Sequence, residues 1–254
     1  MSALELEGVT KNFGALVATN DVSFSAAQGE RIALVGPNGA GKTTLFNLIS
    51  GELPPSSGTI RLNGQDVTQL PPEGMSERGL GRTFQKNSLF LESTVYENVR
   101  LAVQRRLGIR FGMFRSVERY PRLREETAEV LDLVHLAERS ETVTKNLSYG
   151  EQRQLELGIA LATDPKVLLL DEPTAGMSAK ETGEMVEMLG SLPGDLTLLI
   201  VEHDMDVVTA LARRIIVLNF GQVLADGPPE EVRRNKDVLA AYLGLEADEE
   251  VLGA

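Results

Sequence analysis

The stretch Gly36-Pro-Asn-Gly-Ala-Gly-Lys-Thr43 fits the pattern Gly-x-x-x-x-Gly-Lys-Ser/Thr, a backbone cradle for phosphate oxygens. Glycines at Gly36, Gly39 and Gly41 keep side chains away, so that backbone N–H groups reach the phosphates; Asn38 lies within the same loop. Lys42 adds a full positive charge to the partial charge of a helix N-terminus, and the Thr43 hydroxyl suits Mg²⁺; Thr44 continues the same turn. A second constellation is Val167-Leu-Leu-Leu-Asp171-Glu172, four apolar residues ending in two carboxylates. A buried strand of that kind delivers Asp171 to its C-terminal end, where ligands of open α/β sheets collect. There Asp171 would hold Mg²⁺, directly or through water, and Glu172 would orient or deprotonate an attacking water. Alone, the pair reads as a surface Asp-Glu at a strand end; beside the phosphate loop it reads as hydrolytic machinery.

The elements that must position these groups are legible in the hydropathy pattern. Ile32–Val35 is apolar, as the strand feeding the loop must be, and Thr44–Ile49 has one apolar face and is closed by Gly51, as the following helix must be. Leu4, Leu6 and Val9 alternate, Asn20–Ala26 continues the alternation through Val22 and Phe24, and Thr59–Gly64 adds a further strand. These short strands predict an antiparallel layer beside a parallel core. From Thr94 to about Ala162 the chain reads as helical, with Glu125–Leu136 the clearest amphipathic segment. Strands return at Val167–Leu170, Leu196–Val201 and Ile215–Asn219, the last forming a hairpin with Val223–Ala225 across Phe220-Gly221. Glu230–Tyr242 reads as one helix, and Glu246–Glu250 as a frayed, solvated tail.

Composition narrows the function. The 254 residues hold no cysteine, so disulfides and cysteine–metal sites are excluded, and the apolar fraction of 42% is that of a globular chain. No run of about 18 apolar residues is present to span a bilayer, and the acidic start Met1–Glu7 lacks a signal-peptide pattern. A net charge of −12 argues against nucleic acid as a partner. A guanine-binding Asn-Lys-x-Asp is missing, since Asn235-Lys-Asp-Val238 has its carboxylate one position early. ATP is the nucleotide expected.

Leu147-Ser-Tyr-Gly-Glu-Gln152 resembles the signature sequence of ABC-type ATPases, and further motifs follow that family's order. Gln85 sits at the position of its Q-loop, His203 at that of its switch histidine, and Phe13 where an aromatic ring meets adenine. Taken singly, Phe13 would be a core aromatic and His203 a structural strand-end histidine. His135 is left as structural. The resemblance implies an α/β fold, a P-loop ABC ATPase with a mixed, mainly parallel core sheet, an N-terminal antiparallel β layer and a helical subdomain. Residues 1–86 and 163–240 would form the catalytic lobe, 87–162 the helical subdomain with the signature, and 241–254 a C-terminal tail. It further implies that Glu172, His203 and Gln85 are catalytic, and that Thr43, Gln85 and Asp171 hold Mg²⁺. Phe13, the loop residues Gly36–Thr44, Ser148, Gly150 and Glu151 would hold ATP, with Ser148 and the Gly150 backbone donating to the γ-phosphate bound by a second ATPase subunit.

A finer resemblance points to the ATPase of bacterial high-affinity branched-chain amino acid importers. It rests on Gly81-Arg-Thr-Phe-Gln85, Asp171–Ser178, Glu202-His203-Asp-Met205, Ala240-Ala-Tyr-Leu-Gly244 and an arginine-rich stretch after the Q-loop. It implies a subunit on the cytoplasmic face of the membrane, paired with a second ATPase beneath two permeases and served indirectly by an extracytoplasmic solute-binding protein. Rival readings are a lipopolysaccharide-type exporter, a urea or amide importer, and a soluble ABC ATPase acting on nucleic acid. Two departures from the general pattern stand out: Tyr149 replaces the first glycine of Ser-Gly-Gly, and Ser178 stands where many relatives have aspartate. Arg100–Arg124 holds eight arginines against Glu118 alone. It reads equally as a membrane-side surface, at roughly 1 kcal/mol per cation, or as a solvated segment neutralised by Glu125, Glu126 and Glu129.

Overall fold

The computed structural model describes residues 2–83, 89–109 and 120–243. In chain order it contains β1 (Ser2–Phe13), β2 (Leu16–Ala27), β3 (Arg31–Val35), α1 (Lys42–Ile49), β4 (Ser57–Leu62), β5 (Gln65–Asp66) and α2 (Pro72–Glu77). Then come β6 (Leu80–Arg82), α3 (Val95–Arg106), α4 (Pro121–Leu133), α5 (Tyr149–Leu161), β7 (Val167–Asp171) and α6 (Ala179–Ser191). The chain closes with β8 (Thr197–Val201), α7 (Met205–Leu211), β9 (Arg214–Asn219), β10 (Gln222–Gly227), α8 (Pro229–Arg234) and α9 (Lys236–Leu243). The described residues fall into two compact units, one drawn from Met1–Arg78 and Thr197–Ala254, the other from Gly79–Leu196.

In the first unit, β1 runs antiparallel to both β2 and β4, and β5 pairs antiparallel with β4 at the sheet edge. The alternating pattern of β1 breaks at Gly8, where the register with β2 shifts between Leu6 and Val9, so that both Leu6 and Val9 are buried. Strand β3 pairs in parallel with β8 on one side and β9 on the other, and β10 closes as a hairpin on β9. Because β3 and β8 are buried along nearly their whole length, both read as continuous apolar runs. One core cluster joins Val35, Ile215 and Val217 of the sheet to Val208, Val232 and Val238 of the helices.

The expected single helix over 230–242 is two. Asn235 is extended, and its side-chain oxygen accepts from the Asp237 and Val238 N–H groups, which starts α9 afresh.

In the second unit, β6 and β7 pair in parallel, and α3, α4 and α5 pack on one another. Three helices of this unit, α3, α5 and α6, each begin with a complete capping box, from Thr94, Ser148 and Ser178. The amphipathic helix begins earlier than its apolar pattern, at Pro121, and ends where His135 turns left-handed with φ 57°. Of the basic stretch, Arg106 and Arg122 converge on Glu126, while Arg110, Phe111, Phe114, Arg115, Glu118 and Arg119 lie outside the described residues. No helix among the described residues is long and apolar enough to cross a membrane.

Candidate functional site

The phosphate loop leaves the buried end of β3 under tight steric control. Gly36 has φ 149°, and a Cβ there would lie 2.1 Å from the Leu218 carbonyl oxygen of β9. Gly41, with φ 101°, would place a Cβ 2.5 Å from the Ala18 carbonyl of β2. Both glycines are therefore fixed by backbone neighbours as well as by conformation. Gly39 also has positive φ but meets nothing, and is glycine for conformation alone.

Helix α1 begins at Lys42 without a side-chain cap and without an acid in its first turn. Its leading N–H groups thus keep their positive potential for an anion. The Lys42 ammonium is buried and folds back onto the loop, donating to the Gly36 and Pro37 carbonyls at 2.6 and 3.0 Å. Asn38 and Thr43 are exposed at the rim, with Thr44 half-buried.

His203 follows β8, whose register pairs Leu34 with Val201, so the histidine leaves from the same carboxyl edge as the phosphate loop. Buried Glu202 accepts the His203 N–H at 3.1 Å, and Asp204 caps α7. Phe13 closes β1 at 46% exposure, with the Lys11 ammonium 5.4 Å from its ring centre.

The second unit holds the carboxylates. Strand β7 is buried throughout and ends in Asp171, which is 3% exposed. Glu172 takes φ 49°, a left-handed conformation that a non-glycine residue adopts at a cost. Gln85, expected to act beside them, lies outside the described residues.

Ser148 is the N-cap of α5. Its oxygen accepts the Glu151 N–H, and the Glu151 carboxylate accepts the Ser148 N–H at 2.8 Å while also taking Arg139 at 3.0 Å. The Gly150 N–H donates to Glu181 Oε1 at 3.3 Å. The sequence-predicted residues thus form two sets: the loop, Phe13 and His203 in one unit, and Asp171, Glu172, Ser148, Gly150 and Glu151 in the other.

The family described as ABC transporter matches residues 19–175, more than half of the chain. This chain belongs to the ABC transporter family. A second family, described as branched-chain amino acid ATP-binding cassette transporter, matches residues 222–248. The high-affinity branched-chain amino acid transport ATP-binding protein LivG of Salmonella typhimurium is 41% identical over 250 residues, 95% of this chain and 97% of that one. The ADP conformation of MJ1267, an ATP-binding cassette of an ABC transporter, has a TM-score of 0.83 at 29% identity, over 96% of this chain and 99% of that one. A dimeric post-hydrolysis state of the cassette MJ0796, bound to ADP and Pi, has a TM-score of 0.74 at 27% identity, over 89% of this chain and 98% of that one.

Within this ABC ATPase, three positioning residues go beyond the sequence motifs. Gly221, at the β9–β10 turn with φ 77°, donates to Ala40 O at 2.9 Å and accepts from Asn20 N–H at 2.8 Å, holding the phosphate loop against β2. The two-residue turn signals a hairpin, but only the fold shows what it buttresses. Arg82 of β6 puts its guanidinium 3.7 Å from Asp171, with both side chains buried. Tyr149, the departure from Ser-Gly-Gly, donates its hydroxyl to Ala175 O at 3.1 Å and stacks beneath Arg153, 5.5 Å from the ring centre. Gly176 makes room for it, since a Cβ there would sit 3.3 Å from the tyrosine ring.

Arg153 reaches on to Glu156 at 3.1 Å, a pair buried on both sides. Glu156 Oε1 has no hydrogen-bond partner among the described residues. Burial pushes its carboxyl up, against the pull of Arg153. A carboxyl raised on folding contributes stability while protonated, and loses that contribution as pH rises through its folded value. Glu156→Gln is therefore expected to gain urea-midpoint stability over the parent as pH rises from the acid range, and to match it at the acid end.

Each unit offers hard oxygen of the kind Mg²⁺ takes, the Thr43 hydroxyl in the first and the Asp171 carboxylate in the second. Among the described residues no three His, Cys, Asp or Glu side chains cluster as a metal cage.

Proposed function

We propose that the chain is the ATP-hydrolysing subunit that powers an importer of branched-chain amino acids. The observation carrying this reading is 41% identity to LivG along 95% of the chain, joined by the family match over residues 222–248. The dimeric form of MJ0796, bound to ADP and Pi, supports a pair of ATPase subunits. Two permeases would sit above that pair at the cytoplasmic face of the membrane, fed by an extracytoplasmic solute-binding protein.

In this reading the loop N–H groups from Gly36 to Thr44 and the Lys42 ammonium take the β- and γ-phosphates, while Phe13 stacks on adenine. Lys42 exchanges its carbonyl partners for phosphate oxygens, so its charge is already desolvated and aimed before substrate arrives. When bound, Mg²⁺ neutralises phosphate charge; Thr43, Asp171 and Gln85 would hold it. Glu172 aligns the water in line with the γ-phosphate and accepts its proton, and His203 steadies that oxygen pair. Ser148 and Gly150 of one subunit meet the γ-phosphate on the other, so hydrolysis needs both copies. ATP binding then favours the closed pair by its differential affinity for that state, and closure moves the permeases.

The test is a mild detergent pull-down of the tagged chain from its native membranes, with proteins and bound solute identified by mass spectrometry. Recovery of two permeases, a second ATPase and a binding protein carrying leucine, isoleucine or valine supports the reading. Ribosomes or nucleic acid in place of permeases would overturn it.

A further inference from the structure

We infer that Glu181 is a built-in competitor for the γ-phosphate at the signature helix, a gate that ATP must displace before two subunits close. The inference rests on the reading that Ser148 and Gly150 receive ATP from a partner subunit. Its starting point is the occupant of the Gly150 N–H, which is a carboxylate of the same chain, Glu181 Oε1 at 3.3 Å.

Several observations make this contact a built one. The other oxygen of the same carboxylate is held at 2.9 Å by the Ser178 N–H and at 2.7 Å by the Ser178 hydroxyl, the capping box of α6. Glu181 therefore spans the starts of two helices, α5 and α6, with one oxygen on each. Gly150 lies within α5, where no left-handed conformation requires glycine; instead, a Cβ there would come within 2.8 Å of Glu181 Oε1. The missing side chain is what lets the carboxylate reach the N–H. The Tyr149 hydroxyl on Ala175 O ties the start of α5 to the segment leading into α6. The recess at this junction also carries Glu151 and Glu184.

Sharing one N–H donor would hold a carboxylate and a phosphate oxygen at separations where their like charges repel. ATP must therefore shift Glu181 off α5 before the signature donor becomes free. Glu181 lies nine residues beyond Glu172, on the helix that the post-Glu172 segment enters. Its release links an incoming γ-phosphate from the partner to the segment carrying this subunit's own catalytic carboxylate. The serine at 178 acquires a purpose here: its hydroxyl donates to Glu181, which an aspartate carboxylate in its place would repel. The bonds from Ser178 also hold the Glu181 carboxyl below its ordinary value, keeping it an anion.

The experiment uses the membrane complex purified with this chain, comparing the parent with Glu181→Gln. Glutamine preserves the capping box and removes the charge. The half-saturating MgATP concentration for hydrolysis is expected to fall on the order of ten-fold, a coupling of ordinary allosteric size. Affinity of the isolated chain for MgADP, which lacks the γ-phosphate, should stay within about two-fold. An unchanged or higher half-saturating concentration, with melting temperature and MgADP affinity intact, overturns the inference. Gly150→Asp tests the underlying reading separately: it should abolish turnover, and retained turnover would mean that the signature does not receive ATP, which removes both.

Discussion

Glu172→Gln is expected to bind MgATP within a few-fold of the parent and to lose about 10²–10⁴-fold in turnover, the usual contribution of a positioned general base. The substitution is nearly isosteric, so strand β7 and its buried end at Asp171 keep their packing. What changes is the proton acceptor: an amide oxygen can orient a water but cannot take its proton near neutral pH. The left-handed backbone at Glu172 matters as well, because it fixes where the side chain leaves the strand end. Glutamine tolerates that φ no worse than glutamate, so a lost rate cannot be charged to a changed turn. Phosphate release under single-turnover conditions, alongside equilibrium nucleotide binding, separates chemistry from affinity. Hydrolysis at the parental rate would remove Glu172 from the base's role.

Much of this was legible in the residues because the signals are local. The glycines of the phosphate loop, the apolar runs of β3, β7 and β8, and the capping serine of α5 each act within a few positions of themselves. Family order then joined them. The contacts that position these parts were not legible, because they connect distant segments through tertiary packing. Arg82 meets Asp171 across 89 positions, and Gly221 meets Ala40 across a parallel sheet. Glu181 reaches Gly150 only because two helix starts face each other. Tyr149 departs from the Ser-Gly-Gly pattern in the sequence; packed against Gly176 it is a strut. Even the C-terminal helix divided at Asn235 for a local reason, a cap read as one more polar residue in a helical run.

Arg82→Met is expected to cost about 3–5 kcal/mol of stability, the range found when one partner of a buried ion pair is removed. For a chain of this length that corresponds to a melting temperature lower by roughly 6–20 °C. Arg82 and Asp171 have side-chain exposures of only 9% and 3%, so little water screens their charges. Their strands pair in parallel, with Arg82 opposite Leu169, which brings the guanidinium alongside the end of β7. Methionine fills the apolar part of the arginine volume and supplies no charge, leaving the buried carboxylate to bear more of its desolvation. Two further measurements identify the cause. Arg82→Met with Asp171→Asn should recover most of the lost stability, because the charge needing compensation has gone with its partner. On the proposed role of Asp171, MgATP should raise the melting temperature of Arg82→Met by more than it raises that of the parent, since a cation held there would replace part of the missing positive charge. A single variant as stable as the parent would show that Arg82 does not compensate Asp171. A destabilised variant that the double substitution fails to rescue would trace the loss to packing on β6.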